Sequence, residues 1–420
     1  MSKTIGNLFK GDKVIWWVFF FLSIISVVEV YSASSELTYK GGNFIQPMIK
    51  HIFMLILGLG LIILVLNIKC KYFKIATPFM LMISIASLVL VFFIGQSTNG
   101  AARWIPVFGF QFQPSEIAKG TMVLCTAQIL SAMQTRNGAD RHAMSYILMV
   151  GLSMIPLICL ENLSTAALLC VVVFLMMFIG RVPARQLGAL IGVTVLAIAL
   201  VLTLVMAFGT DRNEELAKNH LTEQTVKKAE EHRSKGIFHR FDTWKSRIDK
   251  FMNQKDLAPN EVDLDKDGQR AHGYIAIATS SVFGKGPGNS VERDFLSQAF
   301  SDFIYAIIIE ETGLVGAAFV AMLYIILLFR TGRIASRCEN NFPAFLAMGL
   351  ALLLVVQALF NMCVAVGFVP VTGQPLPLVS KGGTSTLVNC VYIGVILSVS
   401  RTAKKNNATN DIGVTSAAAA

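Results

Sequence analysis

Asp302 is the residue of this sequence whose position is best suited to chemistry. It directly precedes an apolar run at 303–329, so its carboxylate is expected at the boundary between lipid and water. An acid there is costly unless it is hydrated, paired with a cation or used in a reaction. A free aspartate has a pKa of about 3.9, so it is ionised at neutral pH and can act as a general base. Position alone is equally compatible with a structural ion pair.

Two further acids follow in the same run. Glu310 stands eight residues after Asp302, about 12 Å deeper along a helix, and Glu311 points to another face. Acids at such depth usually pair with one another or with basic groups. We therefore expect Glu310 and Glu311 to fix helix packing by pairing with basic residues.

Glu116 and Lys119 are predicted to form a charged pair near the start of a helix. Pro114 suits a first helical turn, and residues three apart share one helix face. The pair is expected either to neutralise two buried charges or to line a polar cavity. Arg103 precedes this helix beside Trp104; the tryptophan is a typical interfacial anchor, and the arginine is a natural phosphate ligand.

Two irregular segments are predicted to approach other elements closely. Segment 370–383 is rich in Pro and Gly and joins two apolar runs, which is typical of a re-entrant loop lining a cavity. The sequence GKGPGNS at 284–290 lacks the strand–turn–helix context of a dinucleotide-binding loop. Its glycines instead indicate that the backbone lies close to another element or to a phosphate.

The elements that carry these residues are built for a lipid environment. The chain is 54% hydrophobic and 15% charged, whereas soluble proteins carry roughly a quarter charged residues. Its apolar runs can each cross a hydrocarbon core of ~30 Å as a helix. We predict an all-α integral membrane protein with about ten transmembrane helices and one large extracytoplasmic loop. The predicted spans are 14–33, 49–68, 74–95, 115–133, 144–160, 163–180, 187–208, 303–329, 342–369 and 384–400.

The net charge of +10 indicates topology rather than a polyanion partner. Residues 209–302 hold 15 basic and 16 acidic residues, and the rest of the chain holds 21 and 10. The excess basic residues lie in short loops beside the spans, which is typical of cytoplasmic loops. We therefore predict cytoplasmic termini, and no nucleic-acid partner.

The predicted organisation has five parts. They are a cytoplasmic segment at 1–13, transmembrane helices 1–7 within 14–208, the large extracytoplasmic loop at 209–302, transmembrane helices 8–10 within 303–400 with the re-entrant-like loop 370–383, and a disordered cytoplasmic tail at 401–420.

The chain contains five motifs in this order: NGAARW, QPSEIAK, GKGPGNS, SDFIYAIIIEETGLVG and PVTGQPLPLVSKGGTS. Together they resemble the motifs of the SEDS family, which includes FtsW and RodA. They follow the family's order and spacing, and the resemblance covers residues 14–400. Residues 34–44, the ENLSTA segment and the long outer loop are more similar to division-type FtsW than to elongation-type RodA.

The resemblance implies a peptidoglycan glycosyltransferase of the bacterial inner membrane, with its active site on the extracytoplasmic side. Such an enzyme polymerises lipid II into glycan strands and releases undecaprenyl diphosphate, here during septal cell-wall synthesis. The implied partners are lipid II and the nascent glycan, a class B penicillin-binding transpeptidase, other divisome membrane proteins and membrane lipids. The resemblance also implies a divalent cation, Mg²⁺ or Mn²⁺, whose ligands are unknown.

The aspartate that the family uses catalytically corresponds to Asp302. A departing diphosphate needs cations that absorb its charge, and buried polar pairs can shape the cavity around it. The predicted substrate-binding residues are Arg103, Glu116, Lys119, Lys285, Arg293 and Lys381.

Some positions depart from the family pattern. Ala102 replaces a second arginine, Lys381 replaces the usual tyrosine, and the residues just before Asp302 differ. Three alternatives stay open: a lipid II flippase, an elongation polymerase of the RodA type, and a non-catalytic scaffold for division proteins. Buried charges and a re-entrant loop also suit a transporter, whereas an acid positioned on a large outer loop favours chemistry.

Overall fold

The computed structural model describes residues 9–33, 45–98, 101–107, 110–208, 245, 264–296 and 301–417. Helices dominate this part of the chain. They are α1 Lys13–Ala33, α2 Ile45–Leu66, α3 Cys70–Ile94, α4 Pro114–Ala132, α5 Ala143–Glu161, α6 Leu163–Ile179, α7 Ala184–Phe208, α8 Leu264–Thr279, α9 Ile304–Ala335, α10 Asn341–Ala365 and α11 Thr384–Ala417. A short 3₁₀ turn, Glu292–Asp294, precedes α9.

Each of the ten predicted spans coincides with a described helix. Eight of these helices are long and apolar enough to cross a membrane. Helix α6 is apolar but has 17 residues, and α4 has 19 residues but is more polar because Glu116 and Lys119 lie on it. The prediction of a multi-helix membrane protein is confirmed.

Three features of the described chain were not predicted. Strands β1 Gln96–Thr98, β2 Ala101–Val107 and β3 Phe110–Phe112 form a small antiparallel sheet, and β4 Gln134–Thr135 pairs with β5 Gly138–Ala139. The predicted outer loop contains α8. The tail predicted to be disordered from residue 401 instead continues α11 to Ala417, and no proline interrupts that stretch.

The interior of the bundle is apolar and is centred on α4, α9, α10 and α11. Leu353, Tyr324 and Met122 are almost fully buried there. Helix α7 differs, because only 6% of its apolar span is buried within the protein. A helix that is apolar on all sides and is not covered by the rest of the protein is suited to contact with lipid.

Helix α9 is kinked, and the kink separates the segment that follows Asp302 from the rest of the helix. Its 32 residues would extend about 48 Å as one straight helix, which exceeds the hydrocarbon core. The kink lies at Gly313, whose φ of 71° and ψ of −171° are not helical. We call residues 304–312, between the helix start and this kink, the half-helix.

Candidate functional site

Asp302 lies just before α9, and neighbouring elements hold its backbone. Asn361 Nδ2, on α10, donates a hydrogen bond to the Asp302 carbonyl at 2.9 Å. Ser380 Oγ, on the loop 370–383, donates to the Ser301 carbonyl at 2.6 Å. The Asp302 side chain is partly exposed, and its Oδ1 accepts a hydrogen bond from Ser301 Oγ at 3.0 Å. The backbone at Asp302 is therefore held from two sides, and the residue is partly exposed.

The loop 370–383 runs through the interior of the bundle, among helices that each contact its polar groups. Gln374 Nε2 donates to Thr165 Oγ1 on α6 at 2.8 Å, and the Gln374 carbonyl accepts from Asn361 Nδ2 at 2.7 Å. Ser26 on α1 donates to the Val379 carbonyl at 2.6 Å. Irregular backbone at such depth requires partners of this kind. These contacts hold the loop inside the bundle, and the prediction that it is a re-entrant loop lining a cavity stays a prediction.

Thr372 and Gly373 bring this loop beside the carboxylate of Asp302. A Cβ added at Gly373 would lie 3.4 Å from Asp302 Oδ2. Thr372 is 7% exposed, and its hydroxyl has no hydrogen-bond partner within the described part of the chain. A buried hydroxyl without a partner is unusual, and a substrate group that reaches this part of the loop would satisfy it.

We expect Gly373→Ala to slow the reaction more than Gly383→Ala does. Both glycines have a positive φ, 69° and 52°, so each alanine costs ~1–3 kcal/mol of backbone strain. Only Gly373 lies against Asp302, since a Cβ at Gly383 meets open space. Displacement of reacting groups by about 1 Å can cost ~100-fold in rate, so we expect at least a ~10-fold difference between the two variants. The difference is measured as the turnover rate of each variant at a temperature where both are fully folded. Equal turnover rates would contradict the prediction.

Glu116 and Lys119 form the predicted ion pair, deep within the bundle. Lys119 Nζ is fully buried, 2.9 Å from Glu116 Oε1 and 2.7 Å from Gln357 Oε1. Gln357 Nε2 in turn donates to the Pro375 carbonyl at 3.0 Å. The pair therefore supports the loop 370–383 through Gln357, and in this conformation the ammonium is closed to solvent. The substrate-binding role stays a prediction for both residues.

Lys285 and Arg293 contact acids and backbone near the kink in α9. Lys285 Nζ lies 2.6 Å from Glu310 Oε1. Arg293 Nη1 donates to the Gly288 carbonyl at 2.6 Å and to Ser32 Oγ at 2.8 Å, and lies 4.0 Å from Glu311 Oε1. The expectation that Glu310 and Glu311 pair with basic groups agrees with these contacts. The diphosphate-binding role of Lys285 and Arg293 stays a prediction.

Arg103 and Lys381 belong to neighbouring elements. Arg103 lies on β2, and its side chain is outside the described part of the structure. Strand β3, which pairs with β2, contacts the start of α11, because Thr384 Oγ1 donates to the Gln111 carbonyl at 2.8 Å. Lys381 is partly exposed, and burial together with the nearby Lys50 ammonium lowers its pKa. The diphosphate-binding role of Arg103 and Lys381 stays a prediction.

Sequence reasoning missed the residues that hold the loop and Asp302 from α10. Gln357 and Asn361 are each 1% exposed and contact the loop, and Asn361 also contacts the Asp302 carbonyl. They are polar residues four positions apart within an apolar run, so they share one helix face. That spacing was the available signal.

The implied divalent cation has no complete protein-built site among the described residues. No three His, Cys, Asp or Glu side chains come together there to hold a metal. Mg²⁺, however, is usually bound by one or two carboxylates together with substrate phosphates and water. Asp302 is partly exposed, so it could supply the single protein carboxylate that such a site needs.

Comparisons with known proteins agree on the family. The family model of FtsW, RodA and SpoVE, described as cell cycle protein, matches residues 12–405. The chain is 27% identical over 395 residues to the probable peptidoglycan glycosyltransferase FtsW of Aliivibrio salmonicida, covering 92% of this chain and 88% of that protein. It is 26% identical to the protein of the same name from Enterococcus hirae, covering 95% of this chain and 96% of that protein.

Solved structures share the fold. A chain of a peptidoglycan synthase complex, from a study of how polymerisation and crosslinking are coordinated, aligns with a TM-score of 0.67 at 22% identity. That alignment covers 94% of this chain and 98% of the other. The rod shape determining protein RodA of Thermus thermophilus aligns with a TM-score of 0.61 at 21% identity, covering 94% and 98%.

Proposed function

Because this chain belongs to the FtsW, RodA and SpoVE family of cell cycle proteins, we propose that it is a peptidoglycan glycosyltransferase that polymerises lipid II. The observation that carries this proposal is the placement of Asp302. The residue is partly exposed, its backbone is held by Asn361 and Ser380, and Gly373 of the adjoining loop lies against its carboxylate. The relatives bear the name FtsW, which supports a role in septal rather than elongation synthesis.

The reaction joins the 4-hydroxyl of one sugar to the anomeric carbon of another and releases undecaprenyl diphosphate. A sugar hydroxyl is a weak nucleophile, so a carboxylate that takes its proton during attack is worth ~10²–10⁴-fold in rate. Asp302 supplies that carboxylate. The bond from the anomeric carbon to the diphosphate oxygen breaks as the new glycosidic bond forms. Lys381 and Arg103 are the cations proposed to accept the charge of the diphosphate.

The membrane location fits the substrate. Lipid II keeps its tail in the bilayer, so an enzyme built from apolar helices can present a catalytic group at the lipid boundary. We propose that this boundary is the extracytoplasmic face of the inner membrane, with both termini in the cytoplasm. Lys69, Lys71, Lys74, Arg330 and Arg333 support this orientation, because they lie beside the ends of helices that would face the cytoplasm.

Polymerisation of labelled lipid II by the purified protein tests the proposed function. Long glycan strands would support a polymerase. Movement of lipid across a vesicle bilayer without strands would indicate a flippase, and neither product would indicate a scaffold. The assay is run with and without a class B penicillin-binding transpeptidase, which we propose as partner, and a rate that does not change would argue against that partnership.

A divalent cation is also proposed, and Asp302 is the residue that would help to hold it when substrate is bound. Such an ion would neutralise part of the diphosphate charge. We expect a chelator to lower the rate of polymerisation and added Mg²⁺ or Mn²⁺ to restore it. The measured quantity is the initial rate against free metal concentration. A rate that is the same in chelator would remove the cation from this proposal.

A further inference from the structure

Residues 282–293, which we call the clasp, close around the kink in α9. Lys285 N donates to the Glu310 carbonyl at 2.9 Å, and Gly286 N donates to the Glu311 carbonyl at 2.8 Å. The last carbonyls of a helical segment lack partners within that segment. The clasp supplies these partners, so it completes the end of the half-helix.

The clasp and the kink meet backbone to backbone. Gly284 and Gly313 both have a positive φ, 74° and 71°. A Cβ added at Gly284 would lie 2.5 Å from Gly313 N, and a Cβ added at Gly313 would overlap the Val282 carbonyl. Neither position therefore tolerates a side chain without a shift of the backbone.

Two buried carboxylates fasten the clasp to the half-helix. Glu310 is fully buried, pairs with Lys285, and accepts hydrogen bonds from Val291 N at 3.1 Å and from Ser290 Oγ. Its neighbour Glu311 is also fully buried and accepts from Gly288 N at 2.9 Å. Removal of one partner of a buried ion pair leaves an uncompensated charge, which is strongly unfavourable.

The half-helix connects this arrangement to the reaction centre. Asp302 stands two residues before its first residue, and Phe303 packs with Leu296, Ile307 and Val371 in a small separate core. Leu296 follows the clasp along the chain. A shift of the clasp would therefore be transmitted to Phe303 and to the adjacent Asp302.

We propose that the clasp is a positioning device for Asp302, and that Lys285 and Glu310 are its principal positioning residues. The role of Asp302 in this inference rests on the proposed function. The packing of the clasp against the half-helix does not depend on that function. It assigns Lys285 to the support of the half-helix, where the sequence had suggested a ligand of the substrate diphosphate. The two roles predict different kinetics.

A double-mutant cycle on polymerisation separates the two roles. If Lys285 and Glu310 act together, Lys285→Met and Glu310→Gln each lower kcat by ~10–100-fold with little change in KM, and the double variant is no slower than either single variant. Lys285→Arg should restore most of the rate. If Lys285 binds diphosphate instead, Lys285→Met raises KM and Glu310→Gln does not. Additive losses, or a change confined to KM, would overturn the proposal.

Amide hydrogen exchange tests the same inference without any activity. We expect exchange at 303–309 to rise at least ~10-fold in Lys285→Met and in Glu310→Gln, because the end of the half-helix loses its support. Lys74→Met, which changes an exposed lysine near the start of α3, is the control and should leave exchange at 303–309 unchanged. Unchanged exchange in all three variants would refute the clasp proposal. Absence of glycan from the wild type would refute only the proposed function.

Discussion

Replacement of Asp302 by asparagine is expected to lower the rate of lipid II polymerisation by ~10²–10⁴-fold, the usual contribution of a positioned general base. Asparagine has nearly the same shape as aspartate but cannot take the proton from a sugar hydroxyl. The contacts from Asn361 and Ser380 reach the carbonyls of residues 302 and 301, so the substitution leaves them in place. We therefore expect thermal stability to stay close to that of the wild type.

Asp140→Asn is the matched control for this substitution. Asp140 precedes α5, outside the proposed site, and its Oδ1 accepts a hydrogen bond from His142 N at 2.8 Å. The two variants make the same chemical change, and only the one at Asp302 should abolish strand formation. The assay is the initial rate of glycan formation from labelled lipid II at saturating substrate. Asp302→Asn protein that is folded and retains more than about a tenth of the wild-type rate would remove Asp302 from the role of base.

The positions of the membrane helices could be predicted because lipid imposes a simple rule on sequence. A helix that crosses the hydrocarbon core must be apolar over some twenty residues, and such runs are visible without any knowledge of neighbours. The same rule could not reveal β1–β3 or the kink at Gly313, because both depend on contacts between distant residues. Gly313 is required by the approach of Val282 and Gly284, which stand about thirty residues earlier in the chain.

The candidate site shows a similar division. Residue type and position made Asp302 a candidate, the family resemblance gave it the catalytic role, and the spacing of Glu116 and Lys119 predicted their ion pair. The pattern could not show which partner each cation takes. Lys285, for example, stands between two glycines and eight residues before Arg293, yet its ammonium contacts Glu310, which is 25 residues away. Such pairings follow from how the clasp folds onto α9, and a single sequence carries little signal for them.

Lys119→Met is expected to lower the free energy of unfolding by ~3–5 kcal/mol, because it leaves the carboxylate of Glu116 buried without its cation. Glu116 is 3% exposed, and its Oε2 already has no hydrogen-bond partner among the described residues. The double variant Glu116→Gln/Lys119→Met removes both charges and should recover most of the lost stability, since neutral side chains of similar volume commonly replace a buried ion pair without a large cost. Unfolding in mild detergent measures both variants, with Lys74→Met as the exposed-lysine control.

The activity of the double variant then decides what the pair contributes to the reaction. Lys119 contacts the loop 370–383 indirectly, through Gln357 and the Pro375 carbonyl. If the ion pair only supports this loop, the double variant should recover both its stability and its rate of polymerisation. A double variant that is stable but still slower than the wild type by ~100-fold would instead show that the charge of Lys119 is needed by the substrate. If the double variant is as unstable as the sum of the two single variants, the two side chains do not act as a pair, and the loop must be supported by its other contacts, such as those from Asn361 and Thr165.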